Sequence, residues 1–268
     1  MTLGLFDVAF VGALPRYDAD AQDYINRVIA ADVAAGNNSG LESGVQDAYN
    51  AFFVACKSDG MLNAIKASCI MAGARTLQGC LVPLVGTAPT NFNFESGDYN
   101  RKTGLVGDGS TKSLLANYTL LSTTASSTHF SYYQTQAQSA STSVIIGSWN
   151  AGQTVEAVWI SGVIYLFSRD VSYLSVAQTN GFIGHARSNN TTVTTRADGT
   201  SVVASSNIVS PQYDMPMRVF ARNNIPGNVA NFYSNARLAF YSIGESLDLA
   251  LLDARVTGLI NAIAAVIP

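Results

Sequence analysis

From residue 18 to 35, Ala21, Tyr24, Ile25, Val28, Ile29 and Val33 recur every three or four positions, the period of one helix face. Asp18 and Asp20 stand where a first turn favours negative charge, and the turn formers Gly36-Asn37-Asn38-Ser39-Gly40 should end the helix. The same reading predicts a second helix over 42–57, with Val45, Ala48, Tyr49, Phe52, Phe53 and Cys56 on one stripe. It predicts a third over 61–74, with Leu62, Ile65, Cys69 and Ile70 together. Pro83 and Pro89 then make 79–101 an extended connector.

Beyond it the pattern changes to short runs of Val, Ile, Thr, Tyr and Phe broken by Gly, Asn, Asp and Ser, which marks successive strands. Ten are predicted: 115–121, 130–136, 143–149, 154–160, 163–168, 181–187, 191–197, 201–205, 217–222 and 237–241. Without helices between them, a parallel sheet is excluded and a two-sheet antiparallel sandwich follows. Asp198-Gly199 and Ser161-Gly162 read as tight hairpin turns. A last helix over 246–266 carries Leu249, Leu252, Val256, Leu259, Ile260 and Ile263 on one face and further apolar residues on the other. The predicted fold is therefore α+β and mainly β. A helical docking or assembly segment, 1–85, precedes a sandwich, 86–245, and a C-terminal helix, 246–268, packs on the sandwich or on a neighbouring subunit. The helices bear too little apolar surface to form a core alone.

Charge narrows the partners. Charged residues make up 12% of the chain and the net charge is −3 with no basic cluster, which leaves nucleic acid without its electrostatic footprint. The apolar start, 1–14, contains Asp7 and lacks a basic leader, so it does not read as a secretory signal, and no run of apolar residues is long enough for membrane insertion. Cys56, Cys69 and Cys80 match no zinc spacing and suit buried thiols of a reducing compartment.

The segment Ala236-Arg237-Leu238-Ala239-Phe240-Tyr241-Ser242-Ile243-Gly244-Glu245-Ser246-Leu247 resembles the closing strand and following helix of concanavalin A-like (laminin G-like) sandwiches. With the stretch 96–114, SGDYNRKTGLVGDGSTKSL, it is similar to virion proteins of tailed bacteriophages of marine and cyanobacterial hosts. The resemblance runs from the first helix to the C-terminus. It implies a lectin-like jelly roll on a virus particle assembled in the host cytoplasm, as tail fibre, adhesin or head decoration, with a homo-oligomer (a trimer, by the fibre resemblance), other virion proteins and host surface glycans as partners. Some members of that fold hold calcium, but Asp98, Asp108, Asp170, Asp198 and Asp214 are scattered singly and show no calcium-loop spacing, so no cofactor is expected.

Catalysis finds little footing. A glycoside hydrolase of this fold needs two facing carboxylates, and Glu156, the one strand Glu, has no acidic neighbour two residues away, so it reads as an outward-facing strand side chain. His129 and His185 belong to no nucleophile motif, and Gly104–Lys112 departs from a phosphate loop and reads as a turn. Sugar recognition needs an exposed ring flanked by hydrogen-bonding groups. Trp149 and Asn150 at a strand end are the first candidates, with Tyr132, His185 and Arg187 completing the set, while core or rim packing remains the alternative for Trp149. The sequence supports a non-enzymatic structural component of a particle that assembles through its helices, with a glycan-binding adhesin as the alternative.

Overall fold

The computed structural model describes residues 16–120, 126–139, 142–150, 153–169, 173–207, 214 and 216–268. The expectations for residues 1–14 and for Asp170 lie outside the described residues. Helix α1 (Ala19–Ala34) begins where the Asp18 side chain accepts from the Asp20 N–H and ends before Gly36 at φ +88°. Helix α2 (Ser43–Ser58) follows, and then the chain departs from expectation: residues 65–70 are not helical but form strand β1 (Ile65–Ile70). Ile65 and Cys69 mimic helical spacing, yet all of β1 except Lys66 is buried. A strand covered on both faces loses the alternation that would identify it.

The other elements are α3 (Leu77–Cys80), β2 (Pro83–Val85), β3 (Thr90–Phe92), β4 (Tyr99–Asn100), β5 (Gly104–Val106), β6 (Ser113–Thr119), β7 (Thr128–Gln136), β8 (Ser143–Asn150), β9 (Gln153–Ile160) and β10 (Val163–Ser168). They continue with β11 (Leu174–Ala177), β12 (Gly181–Arg187), β13 (Thr192–Ala197), β14 (Thr200–Ser205), β15 (Pro216–Val219), β16 (Arg222–Ile225), β17 (Val229–Asn231), β18 (Arg237–Gly244) and α4 (Leu249–Val266). Among the described residues these strands make two sheets of nine. The first runs β14-β13-β12-β7-β18-β1-β2, with the β4–β5 pair attached to β18. The second runs β11-β10-β9-β8-β15-β6-β3, with β16 and β17 beside β8. All pairings are antiparallel except β8 with β16. The predicted strand 217–222 is split there: Phe220 takes φ +67°, and the chain reverses to run along β8. The two hairpin turns form as expected, with positive φ at Ser161, Gly162, Asp198 and Gly199.

The chain is a three-layer β-sandwich. The two sheets pack face to face, and helices cover the outer face of the first sheet: α2 through Phe52, whose ring lies 6.1 Å from that of Phe240 on β18, and α4 across β12, β13 and β14. One contiguous core joins Tyr24, Tyr49 and Phe53 of the helices to Ile65, Phe130, Ile146, Leu166 and Phe240 of the sheets. Because β1 and β2 sit in the sheet, residues 1–85 do more than dock: they supply part of the sandwich. Buried Asp32 on α1 accepts from the Arg75 and Thr76 N–H groups and the Thr76 hydroxyl at 2.7 to 2.9 Å, pinning α1 to the turn before α3. Helix α4 is long and apolar enough to cross a bilayer. Its Asp253 and Arg255 instead pair with Arg196 of β13 and with Asp59, and its apolar stripe lies in the core. The three thiols are buried and unpaired, with burial pushing Cys56 and Cys69 up to about 12.

Candidate functional site

Strand parity decides where the expected sugar-binding residues fall. On β7 and β12, Tyr132 stands opposite Ile183, and His185 and Arg187 share the Ile183 face, which is turned towards the second sheet. All three are buried to 1% exposure or less. The Nδ1 atom of His185 lies 2.9 Å from the Thr195 hydroxyl, and the Arg187 guanidinium bridges the sheets by donating to the Ser168 and Ser206 carbonyls at 2.9 and 2.7 Å. These residues belong to the interior and offer no face to a ligand. Trp149 and Asn150 are placed apart from them, half-buried at the end of β8 in the other sheet, where Trp149 lies between Thr154 and Asn224.

Glu156 takes the outward direction expected of it but is covered there. It points away from the first sheet, as its core-facing neighbours Val155 and Ala157 require, and is only 2% exposed. Arg222 makes a bidentate pair with it, Nε and one terminal nitrogen each 2.6 Å from a carboxylate oxygen, and the Phe232 ring covers that guanidinium at 4.6 Å. Burial raises the Glu156 pKa and Arg222 opposes the rise. Arg222→Met should therefore cost roughly 3–5 kcal/mol by stranding a buried carboxylate, and adding Glu156→Gln should recover most of it; urea melts of the single and double variants read the difference.

The polar groups converge elsewhere. A cleft of ≈ 440 Å³ opens between the first turns of α4 and the ends of β12 and the β13–β14 hairpin. Phe182, 3% exposed, and the half-buried Tyr133 form its apolar wall; both stand on the helix-facing side of their strands, one residue out of phase with Tyr132 and Ile183. Opposite them, Arg196 Nε donates to Asp253 at 2.8 Å, and the second Asp253 oxygen accepts from the Thr257 hydroxyl at 3.0 Å. Arg196 also donates to the Ser201 hydroxyl at 3.3 Å. Asn180, Asp198 and Gly199 close the rim. Burial, then the Asp253 charge, raises the Tyr133 phenol, which stays neutral. A second cleft, ≈ 410 Å³, lies between α1 and the β1–β2 edge, where Arg27 donates to Asp23 and to the Pro83 carbonyl, each at 2.8 Å; the two side chains are 40% and 68% exposed, so this pair is more open to solvent than the Arg196–Asp253 pair.

The first cleft has the composition of a recognition site: a ring wall, donors and acceptors fixed by their own hydrogen bonds, and no activated nucleophile. Asp253 is committed to Arg196 and Thr257 and is not free to act as a base. Of the scattered carboxylates, Asp108 accepts from the Ser110, Thr111 and Lys112 N–H groups, which hold it well below the usual carboxylate range, and Asp98 pairs with Lys112 at 2.6 Å. Among the described residues no group of three His, Cys, Asp or Glu side chains is placed to hold a metal ion.

The fold is an antiparallel β-sandwich, and solved binding domains share it. The chain is similar to the botulinum neurotoxin serotype D binding domain (TM-score 0.52, 14% identity, covering 76% of this chain and 52% of that one). It is equally similar to that domain in complex with N-acetylneuraminic acid (0.52, 13%, 76% and 52%). A third is the receptor-binding domain of botulinum neurotoxin D (0.50, 13%, 73% and 53%). The chain spans about half the length of these domains, and at this identity the likeness shows the fold. No protein-family model matches the sequence, nor does any curated protein sequence.

Proposed function

We propose that this chain is a non-enzymatic glycan-binding module, an adhesin displayed on a virus particle, whose site is the cleft between α4 and the β13–β14 hairpin. The observation that carries the reading is the pairing of the half-buried Tyr133 ring, backed by the buried Phe182, with the pre-set Arg196–Asp253–Thr257 group, which supplies stacking surface and fixed hydrogen bonds together. The neighbouring domain solved with N-acetylneuraminic acid supports a binding role for the fold. The likeness of 96–114 and 236–247 to tailed-phage virion proteins supports the location. The alternative of assembly through the helices loses its main support, because the apolar faces of α1 and α2 are spent in this chain's own core.

Charge selects the ligand class. One cation, Arg196, and two anions, Asp198 and Asp253, leave the cleft net negative, which favours neutral hexoses or N-acetylhexosamines over acidic sugars. A glycan array followed by calorimetry should find neutral glycans. Arg196→Gln should weaken binding at least tenfold, about 1.4 kcal/mol, without changing the fold. An array with no neutral-sugar hits, or Arg196→Gln binding as tightly as the parent chain, overturns the reading.

A further inference from the structure

Strand β14 ends the first sheet, and among the described residues no strand pairs its outer edge. Such edges normally carry a charge, a proline or a bulge that blocks pairing with another chain. The run Thr200-Ser201-Val202-Val203-Ala204-Ser205 has neither charge nor proline, its register to β13 is unbroken, and Val202 and Val203 are 47% and 66% exposed.

The hairpin fixes which backbone groups face out. In a two-residue turn the flanking pair, here Ala197 and Thr200, exchanges both hydrogen bonds, and bonded and non-bonded pairs then alternate. Thr200, Val202 and Ala204 therefore bond inward to β13. The N–H and C=O groups of Ser201, Val203 and Ser205 point away from the sheet.

We infer that β14 pairs antiparallel with β14 of a second copy of this chain about a twofold axis at Val203. Residues directly opposite in an antiparallel pair share a face, so a twofold pairing must match positions of the same parity. Centred on Val203, residues of like kind meet: Val203 meets Val203, Val202 meets Ala204, Ser201 meets Ser205, and Thr200 meets Ser206. The outward groups of 201, 203 and 205 meet their counterparts in bonded pairs, and small or β-branched side chains face each other throughout. The neighbouring centre, Val202, would also bring outward groups together, but it opposes the polar Ser201 to the apolar Val203 and Thr200 to Ala204, so its facing side chains match less well. This self-complementarity is what names a second copy as the occupant.

The axis stands perpendicular to the sheet, so both copies keep α4 on the same side. Two ligand clefts then open on one face of a continuous sheet, an arrangement that multiplies weak affinities on a glycan-coated surface. The pairing itself does not depend on what the cleft binds.

The full chain should show a concentration-dependent dimer with a dissociation constant on the order of 10 μM, as an edge contact of modest area allows. Val203→Lys should raise that constant at least tenfold, and so should Val203→Pro, which removes an outward N–H without touching the β13 ladder. Amide exchange at Ser201, Val203 and Ser205 should be protected in the parent dimer and fast in both variants, with the thermal midpoint kept as a control of folding. A monomer throughout the sub-millimolar range, a threefold mass, or a dimer that survives both variants overturns the inference. On immobilised neutral glycan the variants should lose avidity while affinity for the free sugar is unchanged. A dimer broken by Val203→Lys that binds no sugar sinks the ligand reading alone.

Discussion

A chain from which residues 1–85 are removed is expected to be insoluble or molten, with no cooperative thermal transition and strong binding of a hydrophobic dye. The cut takes β1 and β2 off one end of the first sheet, where the partners of β1 run from Ile65 opposite Gly244 to Ile70 opposite Phe240. It leaves the edge of β18 open from Phe240 to Gly244 and strips Phe240 of its ring contact with Phe52. It also removes Tyr24, Tyr49, Phe53, Ile65 and Ile70 from the shared core, each at 3% exposure or less. Losing one buried aromatic costs roughly 3–5 kcal/mol, and a whole domain is stabilised by only about 5–15 kcal/mol, so the remainder has nothing left to fold with. A soluble fragment with a sharp melt and a native near-ultraviolet spectrum would show instead that residues 86–268 close their own core.

The elements legible in the sequence were those whose pattern is local. Helices α1 and α2 have one polar and one apolar side, α4 is a long apolar run with a regular buried stripe, and Asp18 and Asp248 cap α1 and α4 through their own carboxylates. Strands β6 to β10 and β12 to β14 are runs rich in Val, Ile, Thr, Tyr and Phe separated by turn formers, whereas the four-residue β11 is absent from the sequence reading. Strand β1 was not legible because its partner, β18, lies some 170 residues away and its burial on both sides erases the alternation. Strands β2 to β5 are two or three residues long and have no pattern to show.

Strand parity, which the sequence does not show, decides which of the candidate side chains reach a surface. Tyr132 and Tyr133 are adjacent, both belong to a strand, and only the register of β7 against β12 and β18 decides which ring faces the other sheet and which faces α4. Arg196 and Asp253 are separated by 57 residues and meet because α4 folds back over β13. The one local hint was an Arg two residues before the Asp198-Gly199 turn, on a strand otherwise of Thr, Val and Ala, and a helix Asp flanked by apolar residues. The same long-range pairing hid the fate of Glu156, whose partner Arg222 arrives on a strand that the sequence merges with its predecessor.

The chain should lose stability steeply as pH falls from about 6.5 towards 4, and two histidines set the window. His129 on β7 is fully enclosed, with Nδ1 2.5 Å from the Glu245 carbonyl and Nε2 3.0 Å from the Ser242 hydroxyl. The carbonyl can only accept, so Nδ1 carries the proton, Nε2 accepts, and Ser242 and Ser131 continue the chain at 2.7 Å. Burial lowers this imidazole to about 4, and burial with the adjacent Arg187 charge lowers His185 to about 3. Both folded values lie below the unfolded value of 6.5, so above that pH neither state binds the proton and stability is intact. Below it the unfolded chain takes up two protons that the folded chain refuses. Carried to completion, the drop is worth at most about 3 kcal/mol for His129 and about 5 kcal/mol for His185, a large share of the total. Urea midpoints between pH 7 and 4.5 should fall accordingly, and His185→Gln should flatten the slope even if it lowers the starting value. Midpoints that stay level across that range would mean that both rings take up their protons in the fold, and that the interior around His129 and Arg187 is wetter than its packing shows.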